Sequence, residues 1–142
     1  MSKSKIKTSG ISILEAMIAI SLLLIGILAL TKIFPLALKI GQTAEDSTIA
    51  ANLAQAKIEE LFSWGYENIA VGAIEPRHRL SADVNNPFYR YERKTDVTSV
   101  DANLNPTQSA TGLKQLTTVV YWQSRVFASE KNIEVKLLMV EK

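Results

Sequence analysis

The sequence predicts an α+β protein: one long N-terminal α-helix whose second half lies on a small antiparallel β-sheet. Three observations carry this expectation. The residues from Ile11 to Leu30 are almost wholly apolar. The stretch from Thr43 to Ser63 repeats its apolar residues at helical spacing. The C-terminal third holds segments rich in β-branched and aromatic residues, separated by Gly, Pro and Asn. A helix with one dry side followed by consecutive strands is the pattern of an α+β domain.

The first ten residues carry Lys3, Lys5 and Lys7 and no acid. Beyond Gly10, only Glu15 is charged as far as Leu30. At 1.5 Å per residue that run makes a helix of about 30 Å, the thickness of a bilayer's hydrocarbon core. The basic leader stays on the cytoplasmic side by the positive-inside rule. Glu15 is the exception within the run. An ionised group at the centre of a membrane helix costs about 2.5–3.5 kcal/mol, less near its end, so a carboxylate here implies a partner. An ordinary secretory signal has a shorter apolar core that ends at a small-residue cleavage site. This run is longer and continues into further helical sequence.

The leader, Gly10, the apolar Ile11 and Glu15, the fifth residue after the glycine, resemble the class III signal of type IV prepilins and pseudopilins. That resemblance implies a leader of residues 1–10, cleaved after Gly10 by a membrane-bound prepilin peptidase. The new terminus, Ile11, would be N-methylated. Phenylalanine is usual at that position, and isoleucine is a departure. Residues 11–30 would be retained as transmembrane segment and filament core. Glu15 would then meet the amino terminus of a neighbouring subunit. The implied partners are the prepilin peptidase, other pilin subunits, the inner-membrane assembly machinery and the membrane itself. The implied location is the bacterial inner membrane, with the head in the periplasm, and then the pilus at the cell surface. Within the family the C-terminal pattern is most like a minor pilin of the pilus-modification type. A type II secretion pseudopilin is the alternative, and a plain single-pass anchor carrying a periplasmic binding domain is the alternative of another class.

The helix is expected to run over residues 11–64. Pro35 lacks a backbone donor and crowds the preceding turn, and Gly41 is a second weak point, so a kink is expected there. From Thr43 to Ser63 the residues Ile49, Ala50, Leu53, Ala54, Ala56, Ile58 and Leu61 recur at three- and four-residue intervals, the mark of a helix laid on another layer. Gly65 is the expected terminator. Residues 65–142 form the expected head. Tyr66 to Asn86 reads as a connecting loop punctuated by Gly72, Pro76, Asn85 and Asn86. Three strands are expected, at Phe88–Val97, Leu116–Val126 and Ile133–Val140. The last two would form a hairpin turning at Ser129-Glu130-Lys131-Asn132. In the last strand, Ile133, Val135, Leu137 and Met139 share one face.

Composition narrows the function. The chain has 142 residues, no cysteine and a formal charge of +2. Without the three leader lysines, thirteen bases face fourteen acids, a balance of −1. Such a body lacks the basic footprint of a dedicated nucleic-acid binder, and without cysteine neither a disulfide nor a thiolate metal site is possible. His78, the single histidine, sits between Arg77 and Arg79 with no nucleophile or carboxylate cluster in view. No catalytic residue, metal site, cofactor or small-molecule substrate is therefore assigned, and the chain reads as a structural subunit rather than an enzyme. Arg77, Arg79, Arg90, Arg93 and Lys94, interleaved with Tyr89 and Tyr91, are the one candidate basic–aromatic patch. Glu75, Asp83, Glu92 and Asp96 dilute it.

Overall fold

A computed structural model describes residues 12–109, 111–126 and 129–141. The leader, Gly10 and Ile11 lie outside the described residues. One helix, α1 (Ile13–Trp64), precedes a four-stranded antiparallel sheet, as the sequence predicts in class. Two compact units divide after Lys39.

In the first unit α1 carries exposed apolar side chains on every face, from Ile13 to Leu38. It is long and apolar enough to cross a membrane. Its hydroxyls are satisfied by the helix itself: Ser21 Oγ donates to the Met17 carbonyl and Thr31 Oγ1 to that of Leu28, each at 2.8 Å. Such back-bonding lets a polar residue sit in an apolar run without an orphaned group. The helical conformation continues through Pro35 and Gly41.

In the second unit α1 buries Asp46, Ala50, Ala54, Ile58 and Leu61, one residue per turn. Two alanines at the centre of this stripe let the helix backbone come close to the sheet. Ala56, expected in the stripe, faces solvent. The helix ends at Gly65, whose φ of 78° and ψ of 159° are essentially restricted to glycine.

The sheet has four strands in the order β1 (Gly72–Arg79), β2 (Tyr91–Ser99), β3 (Leu113–Gln123) and β4 (Glu130–Val140). The expected loop Tyr66–Asn86 therefore contains a strand that the pattern did not reveal. β1 lies at the sheet's edge and carries Pro76, and its register against β2 shifts twice, between Ala73 and Glu75 and between Glu75 and His78. Bulges destroy the period-two alternation, and proline is tolerated in a sheet at such an edge. Strand boundaries also differ: β3 is shifted three residues toward the N-terminus of the expected Leu116–Val126, and β2 and β4 begin elsewhere than expected. Residues Pro87–Arg90 form a 3₁₀ turn, capped by the Asn86 side chain accepting from the Phe88 N–H at 2.8 Å, so β2 starts later than Phe88. The β3–β4 pairing runs without a break to Gln123 and Glu130. The Ser124 N–H then donates to the Ser129 carbonyl at 2.9 Å, so the connection lies before Glu130.

Two clusters fill the space between α1 and the sheet. One joins Ala50 and Ala54 to Tyr91, Val120 and Trp122; the other joins Ile58 and Leu61 to Ile69, Val97, Leu116 and Met139. Ile133, Val135 and Leu137 flank them, so the inward face expected for the last strand is the one observed. The cluster of Ala50 and Ala54 takes in Ile133 from the start of β4, and the cluster of Ile58 and Leu61 takes in Met139 from its end. Helix and strand thus run in the same direction.

Candidate functional site

Glu15 lies in the first turn of α1. The Ala16 N–H donates to the Ser12 carbonyl at 3.0 Å, which makes Ser12 the residue that opens the helix. A carboxylate here is favoured twice within its own chain. It opposes the positive end of the helix dipole, and Ser12 and Glu15 have the spacing of a capping box. Around it, Ile13, Leu14, Met17 and Ile18 are all more than half exposed. No described side chain of α1 before Lys39 is buried, so this half offers an apolar surface broken only by Glu15, Lys32 and a few small polar residues. Pro35 lies in the same stretch, and Gly41 begins the half that packs on the sheet. Gly10 and Ile11, the residues of the expected cleavage, lie outside the described residues.

The head holds a polar node that sequence reasoning missed. Asp46 is 1% exposed, at the start of the buried stripe of α1. Its Oδ2 lies 2.9 Å from Arg90 Nη2, and its Oδ1 lies 3.0 Å from Arg125 Nη2. The Tyr91 hydroxyl donates weakly to the same carboxylate at 3.4 Å. Burial first, and then the negative charge of Asp46, push the Tyr91 hydroxyl pKa up, so it stays a donor. Asp46 thereby joins the helix to the start of β2 and to the β3–β4 connection. The apolar period around it hid this role, and the only signal was an acid standing one turn before Ala50.

A second node forms beside β1. Arg93 grips Glu75 through Nε and Nη2, each at 2.9 Å, and Thr95 Oγ1 adds a bond at 3.2 Å. Burial raises the Glu75 pKa, but the Arg93 hydrogen bonds and charge outweigh it and hold the carboxyl below its ordinary value. His78 Nε2 approaches Glu75 at 3.2 Å from the edge strand, not from the expected loop.

The candidate basic–aromatic patch does not assemble as one surface. Arg93 and Tyr91 turn inward to Glu75 and Asp46. Arg77, Arg79, Arg90 and Tyr89 gather instead around a cavity of about 270 Å³, with Tyr121, Glu92 and Glu130. The Arg77 and Arg79 guanidinium groups lie over the rings of Tyr121 and Tyr89, 4.1 and 4.3 Å from their centres. Arg77 also pairs with Glu92 at 2.6 Å and with Glu130. Lys94 pairs with Asp96 at 2.6 Å. The positive charge is thus matched at short range, which is the arrangement of a solvated sheet face. Among the described residues, no three His, Cys, Asp or Glu side chains come together in a way that could hold a metal ion.

No family model, curated protein or solved structure matches this chain.

Proposed function

We propose that this protein is a minor type IV pilin, a structural subunit that enters a pilus through its N-terminal helix and helps prime or decorate it. The observation that supports the reading is the first half of α1, which buries no side chain within the chain yet carries one acid in its first turn. In a filament, neighbouring helices would cover that apolar surface. The amine of Ile11 on the next copy, freed by cleavage after Gly10, would give Glu15 its cation. A buried charge without its partner costs about 3–5 kcal/mol, enough to fix the register between subunits. The head, anchored by Asp46 and by the two apolar clusters, would face outward.

A plain single-pass anchor would use the same apolar helix, and a capping role for Glu15 would need no neighbour. Glu15→Gln separates these readings, because glutamine keeps the capping box and loses the charge. The expected result is a variant that is still cleaved after Gly10 and inserted in the membrane but absent from sheared filaments. Normal incorporation would overturn the pairing. A pseudopilin of a secretion system would give the same result in a shorter filament, so the length of the sheared material assigns the system.

A further inference from the structure

The two edges of the sheet are unlike. At one edge, β1 is interrupted by Pro76 and by two register shifts. Such interruptions keep an edge from recruiting another strand. At the other edge, β4 pairs with β3 over eleven residues without a shift, and it contains neither proline nor glycine. Among the described residues no other strand pairs with its free side.

The hydrogen-bond phase shows which β4 groups are open. The Glu141 N–H donates to the Gly112 carbonyl at 2.8 Å, and the Ser124 N–H to the Ser129 carbonyl at 2.9 Å. In an antiparallel ladder bonded pairs alternate, so Ile133, Val135, Leu137 and Met139 spend their backbone groups on β3. Asn132, Glu134, Lys136 and Leu138 aim theirs out of the sheet, and their side chains are exposed on its outer face. There Lys136 Nζ and Glu134 Oε1 meet at 3.1 Å, and both residues stand in solvent. On the inner face an apolar groove of about 320 Å³ is lined in part by Ile58, Phe62, Val135 and Leu137. Phe62 is 59% exposed.

A second copy of β4 matches this edge in one register. When two β4 strands pair antiparallel, an outward-aimed residue must face another, so a two-fold axis falls on a residue of the strand. An axis at Glu134 sets that carboxylate against its own copy, and an axis at Lys136 does the same with the ammonium. Like charges directly opposite repel, whereas opposite charges support the pairing. An axis at Val135 sets Glu134 against Lys136 of the second copy, and does so twice. Val135 is also the middle residue of Glu130–Val140, so this register overlaps the whole strand. On the inner face it sets Ile133 against Leu137 and Val135 against its own copy, which continues the apolar layer and brings the two grooves together at the axis. We propose that the β4 edge is a homodimer interface, at which two copies pair β4 with β4, antiparallel about Val135, into one continuous sheet. Main-chain bonds supply the affinity, as in other cases of strand addition, and the Glu134–Lys136 pairs set the register. The pairing uses residues of the head and of the half of α1 that packs on it, so it goes beyond the pilin reading and does not depend on it.

The chain has no cysteine, so a single introduced one reports only contacts between copies. The test uses the full chain in detergent, with micelles in excess over protein and copper phenanthroline as oxidant. At the axis the two Val135 residues form a non-hydrogen-bonded pair, whose Cα atoms lie about 4.5 Å apart and within disulfide reach. Ile133 lies about 13 Å from its own copy in this register. Val135→Cys should therefore cross-link about tenfold faster than Ile133→Cys. In the Val135→Cys background, Glu134→Lys alone should slow cross-linking about fivefold, and so should Lys136→Glu alone. Mixing those two variants should restore the rate, because each then meets its complement. Equal rates at the two cysteine positions, or rates indifferent to the charge reversals, would overturn the proposal. Should Val135→Cys fail to fold, hydrogen exchange of the cysteine-free chain decides. The amides of Asn132, Glu134, Lys136 and Leu138 must then lose protection on dilution, and protection that does not change with concentration overturns the pairing. None of these results bears on Glu15→Gln, which is read by incorporation into filaments.

Discussion

The two halves of α1 obey the same local rules and meet different surroundings. Before Lys39 the helix is mostly apolar, with Glu15 and Lys32 its only charged residues, and none of its described side chains is buried. After Ile40 it buries Asp46, Ala50, Ala54, Ile58 and Leu61 against the sheet. The contrast shows that apolar content alone does not say what a helix packs against. The second half has one apolar stripe, because its partner is a single layer within the chain. The first half exposes apolar side chains on every side and packs on no layer of its own chain, which is why it is long and apolar enough to cross a membrane without being buried in the head.

Several substitutions would break or sharpen that contrast. Arg90→Ala combined with Arg125→Ala leaves Asp46 buried without a cation and should destabilise the head by about 3–5 kcal/mol in denaturant unfolding. Asp46→Ala should cost less than the double variant, since Arg125 is 45% exposed and regains water, and only the enclosed Nη2 of Arg90 is left without its carboxylate. Ala54→Leu forces the helix away from Tyr91 and Val120 and should cost about 1–3 kcal/mol. By comparison, Gly26→Leu, in open space on the first half, should leave head stability unmoved in the same measurement. Gly65→Ala puts a side chain where φ is 78° and should cost about 1–3 kcal/mol, although nothing crowds the site.

The smallest effect is one of pH. The folded pKa of Glu75 lies below its unfolded value, so its contribution is complete above the ordinary carboxylate range. It disappears as pH falls through the folded pKa. The stability gap between the native chain and Glu75→Gln should therefore be widest near neutral pH and close in acid. A gap that widened on acidification would contradict the Arg93–Glu75 assignment.

The sequence made legible what rests on period and punctuation: the helix and its end at Gly65, the later strands, and the inward face of β4. It concealed β1, where Pro76 and two bulges erase the alternation and leave a segment that looks like a loop. It misplaced the β3–β4 connection, because Glu130, Lys131 and Asn132 are polar yet continue the ladder opposite Gln123, Trp122 and Tyr121. Asp46 was hidden for a related reason. Its burial depends on Arg90 and Arg125, which are distant in sequence, and no helical period marks a charge neutralised from the sheet. The expected basic patch failed because alternation sends Arg93 and Tyr91 to the inner face and Lys94 to the outer one.

The most direct measurement is the intact mass of the protein extracted from membranes that contain a prepilin peptidase. Retention of the exposed half of α1 with a new terminus near Glu15 requires a chain that begins at Ile11 and carries one added methyl group. A chain that still begins at Met1, or one that begins beyond Leu30, would contradict it.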